Sequence, residues 1–381
     1  MTSKRWLPLL TLLLALAAGC APDDDTPLVT GVQPGTGTPS ADTTIDAKIP
    51  TDGPTPPSSA TPTPEPTPSG LDSGIDTTTP TPGTDGGYEQ VPTPRPPAPN
   101  ATPPGTLLAS LFASDPLRGM SLAGNQTEPW VLRTADVAKL NGDGEVVLST
   151  APGADAAALV ATAYGLWVLS ASENRLYRLT NDQYGLSKTG YGVLASGVLL
   201  AGDDAEGWIA HAGGQLTRVR LSDGAIQSFA GVTGSPVAIA LSSAHAWVAT
   251  SDGKLHRIDR ETGVEGATID LGGTPTALTV DRLGNTWAAT HTPNALRRVP
   301  SGSSIADPAL ALGSRPYALA AGDRVWAAQK ENQRVTHVAL DGTNPTSVTL
   351  QLSPTSVGID ANGRVWLLDP SQGRLDVLWG R

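Results

Sequence analysis

The sequence contains a single cysteine, Cys20, which excludes an intramolecular disulfide as a source of stability. Basic residues are also few, because 25 lysines and arginines stand against 36 aspartates and glutamates. Without a basic surface a chain cannot displace counterions from a phosphate backbone, so we expect no nucleic-acid binding. The G-x-S-x-G nucleophile motif and the Walker phosphate loop are absent too. The sequence thus lacks these standard signatures of a hydrolase or a nucleotide-binding enzyme.

Long apolar runs are missing as well, and the most apolar segment lies at the start. Lys4 and Arg5 precede WLPLLTLLLALAAG, which is too short for a stable membrane span but typical of a secretory signal. The ending LAAGC resembles the bacterial lipobox, which implies a lipoprotein signal peptide at residues 1–19 and lipidation of Cys20. The alternative is an ordinary cysteine in a signal peptide that is cleaved nearby. Two or more acyl chains would hold the protein on a membrane persistently.

Proline divides the chain into two regions. Of the 34 prolines, 22 lie in residues 1–104, in stretches such as PTPPSSATPTPEPTPSG that contain few apolar side chains. Such a composition predicts a lipid-anchored, disordered Pro/Thr-rich linker over residues 20–104. The predicted location is the cell envelope, outside the cytoplasm. Because alanine rather than aspartate follows Cys20, we expect the outer membrane if the organism is Gram-negative.

Seven tryptophans recur at a nearly constant interval in residues 105–381. They stand at positions 130, 167, 208, 247, 287, 326 and 366, with spacings of 37, 41, 39, 40, 39 and 40 residues. A period near forty in a chain of short β-prone segments indicates a repeat of four strands. One such sheet cannot bury both of its faces, whereas a ring packs each sheet against its neighbours. We therefore predict an all-β, seven-bladed β-propeller of four-stranded blades over residues 105–381, with these tryptophans in its core.

The unit around Trp247 provides the model blade. Its predicted strands are PVAIAL at 236–241, AWVAT at 246–250, KLHRID at 254–259 and VEGATIDL at 264–271. The last unit ends after its third strand, whereas GTLLASLFAS at 105–114 precedes the first unit without an evident partner. We expect this segment to supply the missing strand, which would close the ring and leave no open sheet edge.

Three phrases of these units resemble a known group of repeats. They are DRLGNTW at 281–287, DANGRVW at 360–366 and LHRIDRETG at 255–263, and they are similar to the seven-bladed propellers of the YVTN, NHL and virginiamycin B lyase-like group. The resemblance covers residues 105–381 at the level of the blade pattern. Virginiamycin B lyases open a cyclic depsipeptide antibiotic with histidine, glutamate and a magnesium ion, but their catalytic residues have no match in this chain.

Candidate ligand-binding residues stand near predicted hairpins and strand entries. They are Arg133, His211, His291, Arg315, Lys330 and Asp369. His211 and His291 come three and four positions after a tryptophan, where a second strand would enter its hairpin, and Glu173 and Glu331 occupy comparable turns. For all four, a solvated turn side chain is the alternative. NGDGE at 141–145 has the oxygen-rich look of a calcium loop, but the pattern favours an ordinary hairpin turn.

A cation recurs ten or eleven residues after five of the tryptophans, at Arg178, Arg218, Arg257, Arg298 and His337. These side chains would either form a basic band around the ring or pack along the third strand and pair with an acid of the neighbouring blade. We predict a monomeric, noncatalytic module without a cofactor that binds an envelope protein, glycan or peptide. The alternative is a lyase or metal-dependent hydrolase with its site at the channel mouth.

Overall fold

The computed structural model describes residues 102–113, 115–153, 155–182 and 185–381. The predicted signal peptide, Cys20 and nearly all of the predicted linker lie outside the described residues. Among the described residues, no helix has the length and apolar character needed to cross a membrane. The description below therefore concerns the predicted propeller.

Twenty-eight strands form seven four-stranded antiparallel sheets, the blades. The innermost strands are β2 (Leu117–Ser121), β6 (Ala156–Thr162), β10 (Gly197–Gly202), β14 (Pro236–Leu241), β18 (Thr274–Val280), β22 (Ala318–Ala321) and β26 (Ser356–Ile359). The second strands are β3 (Trp130–Arg133), β7 (Gly165–Ser170), β11 (Glu206–His211), β15 (His245–Thr250), β19 (Thr286–His291), β23 (Arg324–Gln329) and β27 (Arg364–Asp369).

The third strands are β4 (Val137–Leu140), β8 (Arg175–Asp182), β12 (Leu216–Arg220), β16 (Lys254–Asp259), β20 (Ala295–Val299), β24 (Arg334–Ala339) and β28 (Arg374–Trp379). The outer strands are β5 (Val146–Thr150), β9 (Gly185–Gly192), β13 (Ile226–Phe229), β17 (Glu265–Asp270), β21 (Leu310–Ala311), β25 (Thr346–Thr349) and β1 (Leu107–Phe112). Blades 1 to 7 are numbered here by their innermost strands in chain order. The predicted fold is confirmed, and the model blade is reproduced to within one residue at each strand end.

The ring closes as the sequence predicts. Each innermost strand contacts the next one, and β26 of blade 7 contacts β2 of blade 1. The early strand β1 pairs antiparallel with the late strand β28, so that Ser110 lies opposite Asp376. Backbone bonds extend the pairing, because Trp379 N–H donates to the carbonyl of Thr106 at 2.8 Å. Both ends of the described chain thus lie in one blade, where β1 supplies the fourth strand and pairs with the backbone of β28.

The seven recurring tryptophans form the core between blades. Each is at most 4 % exposed, as predicted. Each indole belongs to a buried cluster that includes the second strand of the following blade; Trp287, for example, clusters with Val325 and Ala327, and Trp366 clusters with Val131. The period of forty residues therefore reflects one large side chain per interface between blades.

The aspartate of the DRLGNTW and DANGRVW phrases holds the first hairpin to this core. Asp281 Oδ1 accepts the backbone N–H groups of Leu283 and Asn285, while its Oδ2 accepts the Trp287 indole N–H at 2.8 Å. Asp360 does the same for Trp366, whose Nε1 lies 3.2 Å from Asp360 Oδ2. These phrases consequently encode a turn and its attachment, which is a structural role.

The recurring cations lie across the strand from their tryptophans. Arg178 is paired with Trp167 and its guanidinium carbon lies 5.0 Å from the ring centre, while its Nη2 reaches Asp204 of the next blade at 3.2 Å. Arg218 similarly covers Trp208 and donates to the backbone carbonyl of residue 260 in the next blade. Because both arginines are at most 4 % exposed, the alternative of a basic band is wrong for them, and they pack between blades.

Candidate functional site

The alternation of strand direction gives the ring two different faces. The turns after the innermost strands, such as 281–285, and those after the third strands, such as 260–264, form the first-hairpin face. The turns after the second strands, such as 330–333, and the connections between blades, such as 312–317, form the second-hairpin face. Any site at one end of the central channel is built from one of these sets of loops.

All six candidate residues lie on the second-hairpin face. Arg133, His211, His291 and Asp369 are the last residues of second strands. Lys330 follows β23 directly, and Arg315 lies in the connection that leads to β22. Their common face follows from their common position relative to the repeat, but it does not bring all of them together.

Two of the candidates are buried and hydrogen-bonded within the fold. His211 is 2 % exposed, with Nε2 at 2.9 Å from the Thr217 hydroxyl and Nδ1 at 3.1 Å from the Ala195 carbonyl. Burial lowers the pKa of His211, so the neutral ring is favoured. Asp369 is 1 % exposed and accepts the N–H groups of Ser353 and Ser371 at 2.8 and 3.0 Å. In this arrangement both side chains connect strands to loops.

Two more candidates make local contacts. The Arg133 guanidinium donates to Asp136 at 2.6 and 2.7 Å and to Asp115 at 2.6 Å. The hydrogen bond to Asp136 raises the pKa of Arg133. His291 is half-buried, and its Nδ1 lies 3.1 Å from the Thr292 hydroxyl. Neither contact defines a ligand site.

Arg315 and Lys330 are the candidates that the structure brings together. Both lie against the ring of Tyr317, whose centre is 5.2 Å from the Arg315 guanidinium carbon and 5.8 Å from the Lys330 ammonium nitrogen. Tyr317 in turn places its hydroxyl 3.1 Å from a carboxylate oxygen of Glu331. The sequence pattern indicates Arg315, Lys330 and Glu331 separately and gives no signal for Tyr317, the residue that contacts all three.

A cavity with a volume of about 890 Å³ lies at the centre of the ring. Its wall includes one aliphatic residue from each innermost strand, and each of these residues pairs with the residue that follows a tryptophan. This ring consists of Met120, Leu159, Leu200, Ile239, Leu278, Leu319 and Val357. None of the six candidate residues lines the cavity. Met120, Leu159, Leu200 and Leu319 are buried. Polar and apolar atoms contribute about equally to the exposed wall, so the cavity suits a ligand that has both an apolar and a polar part.

The cavity extends to the first-hairpin face, where polar residues of blades 3 to 5 join its lining. Among them are Asp203, Ser242, Arg260 and Asp281. Arg260 bonds Glu206 Oε1 at 2.6 Å and the Ser242 carbonyl at 2.7 Å, and it also pairs with Asp203. Although burial opposes the charge, the hydrogen bonds to Asp203 and Glu206 raise the pKa of Arg260. This part of the rim is therefore charged and held in place from two blades.

The NGDGE turn is an ordinary hairpin between β4 and β5. Asn141 Oδ1 accepts the N–H groups of Asp143 and Glu145 at 3.0 and 2.9 Å, which closes the turn internally. Within the part of the chain that the structure describes, no group of three histidine, cysteine, aspartate or glutamate side chains is arranged to hold a metal ion.

Comparisons with solved structures show similarity of fold. Virginiamycin B lyase from Staphylococcus aureus aligns with a TM-score of 0.60 at 16 % identity, over 71 % of this chain and 98 % of that one. The WD40 domain of Pan2 from Neurospora crassa aligns with a TM-score of 0.58 at 10 % identity, over 73 % and 95 %. A chain of a mitotic checkpoint complex aligns with a TM-score of 0.61 at 11 % identity, over 73 % and 96 %. No protein-family model and no curated protein sequence matches the chain.

Proposed function

We propose that this chain is a lipid-anchored envelope protein whose propeller binds an apolar group of its ligand in the central cavity. The ligand enters from the first-hairpin face, and its polar part remains at the rim near Arg260 and Asp281. The anchor is supported by the LAAGC ending of the first apolar segment, and the tether by the proline-rich region that follows. The observation that carries the binding role is the set of aliphatic residues, one from each innermost strand, in the wall of the central cavity.

One part of the cavity wall is aliphatic and supports an apolar group, while polar atoms make up about half of the exposed wall. Ile239, Leu278 and Val357 of the ring are only half-buried, and four further half-buried aliphatic side chains line the cavity nearer to the rim. Those four are Leu122, Leu241, Val280 and Ile359. Water next to such a wall makes few hydrogen bonds with it, so its displacement by an apolar group is favourable. A group that buries about 200 Å² of apolar surface contributes about 5 kcal/mol before the costs of association.

The test uses the full chain and N-phenyl-1-naphthylamine, an uncharged probe whose fluorescence increases in apolar surroundings. We expect saturable binding that Leu278→Glu weakens at least tenfold, because the new carboxylate would enter the apolar wall. Val264→Glu is the matched control, since Val264 is exposed in the turn after β16 and does not line the cavity. Equal weakening by both variants, or by neither, would contradict a site in the cavity. Far-ultraviolet circular dichroism verifies that both variants are folded.

The same variants allow a search for the natural ligand. Envelope extracts are passed over the immobilised full chain, and bound small molecules and peptides are identified by mass spectrometry. We expect ligands with an apolar group, retained by the Val264→Glu protein and not by the Leu278→Glu protein. Retention of the same compounds by both proteins would place the ligand elsewhere on the ring.

The alternative is a virginiamycin B lyase-like or other metal-dependent propeller enzyme. Its support is the similarity of fold to the lyase, which at 16 % identity concerns architecture alone. Melting of the full chain with Mg²⁺ and with a chelator distinguishes the two functions, because a metal bound to the native state raises the melting temperature. A Mg²⁺-dependent rise together with ring opening of virginiamycin B would favour the enzyme.

A further inference from the structure

Two cations contact one tyrosine on the second-hairpin face of blade 6, opposite to the rim of the cavity, and a third cation begins the strand that follows. Arg315 and Lys330 lie against the Tyr317 ring, as described above. Arg334 begins β24, immediately after the turn that contains Lys330. Its Nη1 lies beside Gly313, at 3.6 Å from where a methyl group on that glycine would stand. We call Arg315, Tyr317, Lys330 and Arg334 the Tyr317 cluster.

The cations of this cluster differ from most other arginines of the ring in lacking a carboxylate partner. Arg133, Arg260 and Arg374 each form an ion pair of 2.5 to 2.8 Å. Within the described residues, no ion pair of 4.0 Å or less joins Arg315, Lys330 or Arg334 to an acid. The sequence neighbour Glu331 is hydrogen-bonded to the Tyr317 hydroxyl instead.

Two of the guanidinium groups also have buried donors without an acceptor. Arg315 Nε and Arg334 Nε are both inaccessible to solvent and have no hydrogen-bond partner among the described residues. These two atoms are not accessible to a ligand, but both side chains are partly exposed and keep a positive charge without a carboxylate partner, which favours an oxyanion as ligand. Charge and hydrogen-bonding capacity therefore indicate the same type of ligand.

The cluster is held in position before any ligand binds. Gln329 is fully buried, and its Nε2 donates to the carbonyl and hydroxyl oxygens of Ser314 at 3.1 and 3.3 Å. This bond ties the connection that carries Arg315 to the strand that precedes Lys330. The Tyr317 N–H donates to the Ala328 carbonyl at 2.8 Å and fixes the aromatic residue to the same strand. Less side-chain freedom is then lost on binding, which favours affinity.

We propose that the Tyr317 cluster binds an oxyanion, either a phosphate or a carboxylate group. Arg315 and Lys330 supply the charge and the donors, Arg334 contributes a third positive charge from the start of β24, and the Tyr317 ring supports the two cations that contact it. The site is separate from the cavity in position and in chemistry, so either can exist without the other. An oxyanion bound here would occupy the face opposite to the apolar ligand.

The test measures the melting temperature of the full chain in sodium phosphate, sodium acetate and sodium chloride at equal ionic strength. A native-state ligand raises the melting temperature as its concentration passes the Kd, whereas general screening acts equally in the three salts. We expect a saturable rise in phosphate, in acetate or in both, beyond that in chloride. A rise in phosphate alone identifies a phosphate site, and a rise in acetate alone identifies a carboxylate site. Equal curves in all three salts would overturn the proposal.

Substitutions locate the response. We expect Arg315→Gln and Lys330→Gln each to weaken the Kd about tenfold, because each removes a charged donor. Lys254→Gln is the matched control on the same face, since Lys254 starts β16 and its ammonium already pairs with Asp270 at 2.9 Å. Lys330 is exposed, so its variant is expected to fold normally. If Lys254→Gln reduces the rise in melting temperature as much as Lys330→Gln does, the anion binds elsewhere.

Discussion

Replacement of Trp287 by phenylalanine tests whether the aspartate of the repeated phrase contributes to stability through the indole. The substitution keeps an aromatic ring between blades 5 and 6 and removes the N–H group that donates to Asp281 at 2.8 Å. Asp281 is 5 % exposed, so water cannot readily replace the lost donor. Its Oδ2 still accepts the side-chain N–H of Asn285 at 2.9 Å, which moderates the loss.

The matched control is Trp130→Phe in blade 1. Trp130 is also buried, but its Nε1 has no hydrogen-bond partner among the described residues. Both variants lose the same part of the ring system, so the difference between them combines the hydrogen bond lost at Trp287 with the removal of the unpaired buried donor at Trp130. A bond to a charged group contributes about 1.5 to 3 kcal/mol. Because Asn285 remains bonded to Asp281, we expect Trp287→Phe to lose about 1.5 kcal/mol more than Trp130→Phe.

The assay is urea unfolding of the full chain followed by far-ultraviolet circular dichroism, which does not depend on tryptophan emission. The free energies of unfolding are comparable if the m-values of the two variants agree. Losses that are equal to within about 0.5 kcal/mol would refute the reasoning. They would show that the aspartate acts through the backbone of its turn and not through the tryptophan.

Three further predictions concern closure, pH and the anchor. Deletion of residues 105–112 removes β1 and exposes the edge of β28. We therefore expect a lower melting temperature and association of molecules through this edge. The control, deletion of residues 60–67, is expected to leave the melting temperature unchanged. Burial lowers the pKa of His337 from 6.5 to about 4. Between these two pH values the unfolded chain therefore binds a proton that the native state does not. The free energy of unfolding falls by up to about 3 kcal/mol as the pH decreases from 6.5 to 4. In His337→Phe we expect the free energy of unfolding to fall less between pH 7.5 and pH 4.5, because the contribution of His337 is absent. Urea unfolding at the two pH values measures the difference. Cys20→Ser is expected to move the protein from the membrane fraction to the supernatant, and an unchanged distribution would contradict the anchor.

Much of the fold could be predicted from the sequence because the repeat acts locally. The strands around Trp247 are short, alternate with turns and end within one residue of their predicted limits. The pairing of β1 with β28 could also be predicted, because a missing strand in the last unit and an unpartnered strand before the first leave one consistent solution. Neither prediction needs knowledge of side-chain packing.

The candidate site could be predicted only in part. Position relative to the tryptophans predicts that the six candidates lie near hairpins or strand ends, but it does not determine their environment. His211 and Asp369 are buried and hydrogen-bonded, while Arg315 and Lys330 share a tyrosine. Burial and partner depend on the neighbouring loops, which differ in length and composition from blade to blade.

The amino-acid sequence by itself determined how many blades form and which large side chain fills each interface, since both depend on a pattern that every unit contains. Only the tertiary structure decided what the centre and the two faces present. Ile239 and Ile258 lie in predicted strands of the same unit and share one cluster between sheets, yet ring closure places only Ile239 in the cavity wall as well. The reason is that a cavity wall takes one residue from each of seven distant segments, and their proximity exists only when the ring has closed.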